Sequence, residues 1–171
     1  MKKSILWSEK NILVACYSYS GNTRLVAEQI QKITGGNLWF IQPQNPYPPQ
    51  YNACVEQARK EIQAGFRPEL VASLKNLADY DMIFVGSPNW WSTIAPPVAT
   101  FLSQGDFSGK IVIPFITHGG GGMARCVEAI RELSPSAQVL ASKAFRGENV
   151  RRESETIRSW LTEIQRSISS T

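Results

Sequence analysis

The hydrophobic positions of this chain fall into two kinds of run that alternate from one end to the other. Five runs are short and largely continuous: Ile12–Cys16, Leu38–Ile41, Met82–Gly86, Ile111–Ile116 and Gln138–Ala141. Such runs, bounded by polar or turn residues, suit strands covered on both faces. Between and after them, apolar residues recur at three- and four-residue spacing. That spacing predicts helices over about 22–33, 51–64, through Val98–Leu102, over 123–133 and over 148–168. Ile157, Trp160, Leu161 and Ile164 share one face of the last. Thr34-Gly35-Gly36 closes the first helix, Gly65 closes the second, and Pro96 or Pro97 suits the first turn of the third. Pro114 is unusual inside a strand. Strand and helix alternating five times predict an α/β sandwich of three layers, a five-stranded parallel sheet with helices on both faces. The pattern reads as one domain over residues 11–171 behind an extension of residues 1–10.

In such a sheet ligands sit beyond the carboxyl ends of the strands. Three unusual loops fall there, after the first, third and fourth strands. The first holds Ser18, Ser20, Gly21, Asn22 and Thr23 at the start of a helix. Unpaired backbone N–H groups, the helix dipole and hydroxyl donors would make it an anion site. It would equally serve as an N-cap turn, with Asn22 or Ser20 as the cap. The second loop carries Pro88, Asn89, Trp90 and Trp91; the third carries Thr117, His118, Gly119, Gly120, Gly121 and Gly122, with the only histidine of the chain. Pro43 to Tyr51, with four prolines and two tyrosines, predicts a stiff surface loop. It is either one wall of a substrate pocket or an inert excursion.

Other chemistries fail on spacing. The one Gly-Lys pair, Gly109-Lys110, precedes Ile111, so there is no Walker A loop. The first turn has a single glycine and no dinucleotide fingerprint. Cys16 and Arg24 lie too far apart for a cysteine phosphatase loop. No G-x-S-x-G elbow accompanies the His-Gly-Gly-Gly stretch, which removes a hydrolase reading.

Composition narrows the setting. Three widely spaced cysteines, Cys16, Cys54 and Cys126, argue against a disulfide framework or a zinc site and for the cytoplasm. No run approaches a membrane span. The net charge of +4 is modest and spread, densest at Arg146, Arg151, Arg152 and Arg158, without a nucleic-acid motif.

Ser18-x-Ser20-Gly21-Asn22-Thr23, Gly86-x-Pro88-x-Trp90-Trp91 and Thr117-His118-Gly119-Gly120 together resemble the flavodoxin-like family, in its short branch with paired tryptophans. Arg67-Pro68-Glu69-Leu70, Ser108-Gly109-Lys110 and Trp160-Leu161 are also similar to that branch, so the likeness spans about residues 10–165. The resemblance implies strand order 2-1-3-4-5 and non-covalent FMN. The first loop would hold the phosphate chiefly by neutral dipoles, with Arg24 the only nearby cation. Trp90 or Trp91 would cover the flavin ring, and the glycines at 119–121 would let backbone N–H groups approach its edge. His118 would either serve catalysis, stabilising reduced flavin or passing a proton, or anchor its loop.

The resemblance implies two jobs: an FMN-dependent oxidoreductase reducing quinones or similar small acceptors, fed by NAD(P)H, or an electron carrier between protein partners. A flavin-binding module without turnover is a third. Carrier flavodoxins are expected to be acidic, whereas this chain is basic, which favours the enzyme and two-electron transfer. NAD(P)H binding has no dedicated motif, and a homodimer is left open.

Overall fold

The computed structural model describes residues 6–168. The strands are β1 (Ile12–Cys16), β2 (Asn37–Phe40), β3 (Met82–Trp90), β4 (Thr93–Ile94), β5 (Ile111–His118), β6 (Gln138–Val139) and β7 (Lys143–Arg146). The helices are α1 (Asn22–Thr34), α2 (Tyr51–Ala64), α3 (Pro96–Gln104), α4 (Cys126–Leu133) and α5 (Ser154–Ser167). The sheet runs β2-β1-β3-β5-β6, with β7 also beside β5 and β4 antiparallel to the end of β3. With the short β4 hairpin set aside, these are the expected five parallel lanes in the expected order.

Alternate residues of the central strands feed two cores. Ile12, Val14 and Cys16 of β1 and Met82 and Phe84 of β3 pack with Val26, Ile30, Ile157 and Leu161 of α1 and α5. Leu13, Ala15, Ile83 and Val85 face the opposite way, with Cys54, Val98, Leu102 and Ile130 of α2, α3 and α4. Covering on both faces is what continuous apolar runs require. The buried part of β3 runs to Ser87, and at Gly86 within it an added Cβ would overlap the Phe115 ring and lie 2.9 Å from the Cys16 Cβ.

The outer lane departs from expectation. The single run 138–141 is instead β6 and β7, split around Leu140–Ser142. Along β5 the partners jump from Val112↔Val139 to Phe115↔Lys143, three residues against four. The extra residue makes a bulge, with Ala141 at φ 56° and its carbonyl accepting the Trp160 Nε1–H at 2.7 Å. Pro114 lies opposite that break, where its missing N–H costs the outer lane no ladder bond. The last helix is also shorter at its start: residues Gly147–Arg152 form a 3-10 turn before α5. α4 begins at Cys126 rather than 123 because Gly122 (φ 67°) and Ala124 (φ 44°) turn the chain first.

Of the expected extension 1–10, residues 1–5 lie outside the described residues. Trp7–Glu9 form a 3-10 turn whose Trp7 ring lies 6.4 Å from that of Phe84. The Pro/Tyr loop is not a free excursion. Tyr47 is buried and donates its hydroxyl to Glu61 Oε1 at 2.6 Å, while Pro43 bridges Leu70.

Candidate functional site

The carboxyl ends of β1, β3 and β5 open on one cleft of about 320 Å³. Ser20, Asn22 and Thr23 line it from the first loop, Pro88, Asn89 and Trp90 from the second, and Thr117, His118 and Gly119 from the third. Parallel pairing Ala15↔Val85 and Val85↔Pro114 sets the three strands level, so loops distant in sequence meet.

The helix start is uncapped by any side chain. Neither Ser20 nor Asn22 is the N-cap; Gly21 holds that place at φ 99°, a conformation glycine adopts without steric cost. Ser18 stands behind the turn, its Oγ accepting the Gly21 N–H at 3.2 Å. The first-turn N–H groups of α1 therefore face the cleft with no side-chain acceptor, as an anion site demands. The buried Thr23 and Thr117 hydroxyls hydrogen-bond at 2.7 Å and join first and third loops.

His118 Nδ1 accepts the Gly120 N–H at 3.0 Å, the loop-anchoring arrangement. Desolvation, and then the Arg146 guanidinium beside it, hold the imidazole below its usual pKa. At neutral pH the ring is therefore uncharged, and with Nδ1 accepting, its proton sits on Nε2. Gly120 and Gly121 flank the cleft: a Cβ would come 3.0 Å from Arg146 Nη2 at the former and 3.2 Å from Asn89 Nδ2 at the latter. Asn89 Nδ2 donates to the Gly122 carbonyl at 2.9 Å, tying second loop to third.

The two tryptophans part company. Trp90 lines the cleft, held edge-on by Tyr17, Tyr19 and Tyr47 at centroid distances of 5.5, 5.9 and 4.9 Å. Trp91 does not line it. The 87–93 segment is a hairpin, β3–β4, with Trp91 and Ser92 both at positive φ (55° and 70°) as a type I′ turn requires. Trp91 lies half exposed over α2, its Nε1–H donated to the Val55 carbonyl at 2.9 Å.

A sequence model described as flavodoxin matches residues 11–164. The chain belongs to the flavodoxin family. Among solved structures it is similar to a flavoprotein of Lactobacillus acidophilus NCFM in complex with FMN, at 26% identity over 84% of this chain and 97% of that one, TM-score 0.71. A Bacteroides uniformis ATCC 8492 protein described in flavoprotein terms matches at 28% identity over 90% and 98%, TM-score 0.74. A Fusobacterium nucleatum flavodoxin bound to flavin mononucleotide shares the fold at 13% identity over 94% and 99%, TM-score 0.58.

Within this flavodoxin fold the cleft gains residues that the loop motifs do not contain. Arg146, Gly147 and Glu148 line it from the end of β7, with Tyr19 and Tyr51. Arg146 replaces Arg24 as the nearby cation. Arg24 instead donates to Glu28 at 2.8 Å and lies 4.6 Å over the Phe40 ring, outside the cleft lining. Arg146 meets Glu148 only at 3.5 Å, with the Glu148 carboxylate largely exposed, a weak pairing. The pairing His118↔Arg146 in the β5–β7 ladder puts this guanidinium beside the third loop. Gly147 is pressed on the first: a Cβ there would come 2.6 Å from Asn22 Nδ2. The signal in the sequence is the Phe145-Arg146-Gly147 step at the end of the last strand, which a strand ending at residue 141 leaves out.

Among the described residues no group of three or more His, Cys, Asp or Glu is placed to hold a metal ion. No described helix is long and apolar enough to cross a membrane.

Proposed function

We propose that this chain binds FMN non-covalently in the cleft and reduces quinones or similar small acceptors with NAD(P)H. The observation that carries the reading is the joining of an uncapped helix start, a glycine-rich edge and an aromatic wall in one cleft. The phosphate of FMN would take the first-turn N–H groups of α1, the hydroxyls of Ser20 and Thr23, and the guanidinium of Arg146. Charge-assisted hydrogen bonds of ~1.5–3 kcal/mol each suffice for tight holding. Pro88, Asn89 and Trp90 would lie along the flavin ring, and the 118–120 backbone would meet its edge. The Lactobacillus acidophilus relative, which carries FMN, supports the choice of ligand.

When bound, FMN supplies two-electron redox chemistry between a nicotinamide and an acceptor; the overall exchange is NAD(P)H + H⁺ + quinone → NAD(P)⁺ + quinol. The chain's own part is positioning. Trp90, fixed by three tyrosines, keeps the aromatic wall rigid, which limits the ordering cost of binding. His118 presents a proton at Nε2, and Arg146 keeps the site positive, favouring an anionic ligand. The free, buried cysteines Cys16, Cys54 and Cys126 suit action in the cytoplasm.

The test is an absorption spectrum after FMN loading and removal of excess, then anaerobic NADPH followed by menadione. Bleaching by NADPH and recovery with menadione are expected. Retained flavin without any NADPH reaction would instead favour an electron carrier fed by a separate reductase.

A further inference from the structure

A second cavity, of about 300 Å³, opens beside the cleft between α2 and the β3–β4 hairpin. Tyr51, Val55 and Ala58 form its α2 side, and Trp90 and Trp91 its hairpin side. It shares Tyr19, Tyr51, Asn89 and Trp90 with the first cleft, so the two spaces lie side by side. We propose that this cavity is the acceptor site, and that it selects a planar, uncharged two-ring aromatic such as a naphthoquinone. The proposal rests on the FMN reading above and deepens it.

Four observations carry the choice. The lining contains no Asp, Glu, Lys, Arg or His, and burial raises the Cys54 thiol, so it contributes no charge. Anionic acceptors would therefore lose their hydration without gaining a partner. The walls are aromatic and already fixed. Tyr19 donates its hydroxyl to the Pro48 carbonyl at 2.6 Å, and the Trp91 indole donates to Val55 at 2.9 Å. The volume, near the lower end of roughly 300–1,000 Å³ for small-molecule pockets, suits a compact ligand.

The fourth observation is the turn itself. Two non-glycine residues at positive φ, Trp91 and Ser92, stand where Asn-Gly would be favoured. Left-handed backbone at a bulky residue is costly, and such positions cluster at ligand sites. Here the turn holds a half-exposed tryptophan (51%) in the cavity lining, together with Tyr51 (74% exposed). An Asn-Gly turn in their place would remove that wall.

The test is menadione added to the ¹⁵N-labelled full chain loaded with FMN, followed through the indole N–H resonances of the five tryptophans. Trp91→Phe assigns the Trp91 signal. The expected result is a saturable shift of that signal and weakening of menadione binding at least tenfold in Val55→Trp, which fills the cavity. FMN affinity in Val55→Trp, measured separately, should stay within twofold, which shows that the variant folds and that the cleft is intact. Three results would overturn the proposal with the FMN reading intact: FMN bound and no Trp91 shift, an undiminished menadione affinity in Val55→Trp, or menadione displacing FMN. Failure of the wild-type chain to bind FMN at all would remove the FMN reading, and the proposal with it.

Discussion

Thr23 and Thr117, ninety-four residues apart, share a buried hydrogen bond of 2.7 Å between their hydroxyls. It joins the start of α1 to the end of β5, so the phosphate-type turn and the glycine-rich loop cannot move independently. Either Thr23→Val or Thr117→Val leaves the other hydroxyl buried and unpaired, at a cost of about 1–3 kcal/mol in stability. The double variant should cost less than the two singles together. Urea denaturation of the four proteins checks this; strict additivity would mean the bond contributes nothing.

Arg146 should discriminate for the phosphate of FMN. Arg146→Gln is expected to weaken FMN binding about 10- to 100-fold, the equivalent of one charge-assisted contact of ~1.5–3 kcal/mol. Riboflavin, which lacks the phosphate, should bind the variant and the wild-type chain alike. Arg24→Gln, outside the cleft lining, should leave FMN affinity within twofold. Equal losses for riboflavin and FMN in Arg146→Gln would place the guanidinium elsewhere on the ligand.

His118 should titrate below the usual imidazole value of about 6.5. Desolvation and the neighbouring Arg146 both disfavour the charged ring. Because the folded value is depressed, its stabilising share is present above about 6.5 and is lost as pH falls through the folded value. NMR titration of the only histidine reads this directly, and Arg146→Gln should move the midpoint upward. No movement would leave burial as the sole cause.

Gly86 should not tolerate a side chain. A Cβ would overlap the Phe115 ring and press on Cys16, so Gly86→Ala is expected to cost about 1–3 kcal/mol by overpacking. Thermal unfolding measures it. An unchanged melting temperature would show that Phe115 can swing aside.

The parts of the fold legible in the sequence are those fixed by local pattern. Ile12–Cys16 and Met82–Gly86 are apolar throughout because both sheet faces are covered, and Gly35 and Gly65 end α1 and α2 with left-handed caps. What stayed hidden depends on contacts between distant residues. The hairpin at Trp91-Ser92 lacks the Asn or Gly that announces a type I′ turn; an indole hydrogen bond to α2 holds it instead. The bulge dividing β6 from β7 is set by Pro114 and Trp160, one on a neighbouring strand and one on a later helix. That division is what brings Arg146 beside His118 at the cleft, so the site's cation depends on the outer lane and not on local pattern. Tyr47 reads as part of a surface loop because its partners, Trp90 and Glu61, belong to other elements of the chain.

The most direct measurement is a fluorescence titration of FMN with the flavin-free chain. The account predicts saturable quenching at one FMN per chain, with a dissociation constant below micromolar and clearly weaker binding of riboflavin. Flavin fluorescence unchanged by excess protein would contradict it, and the three loops would then be ordinary turns at one edge of the sheet.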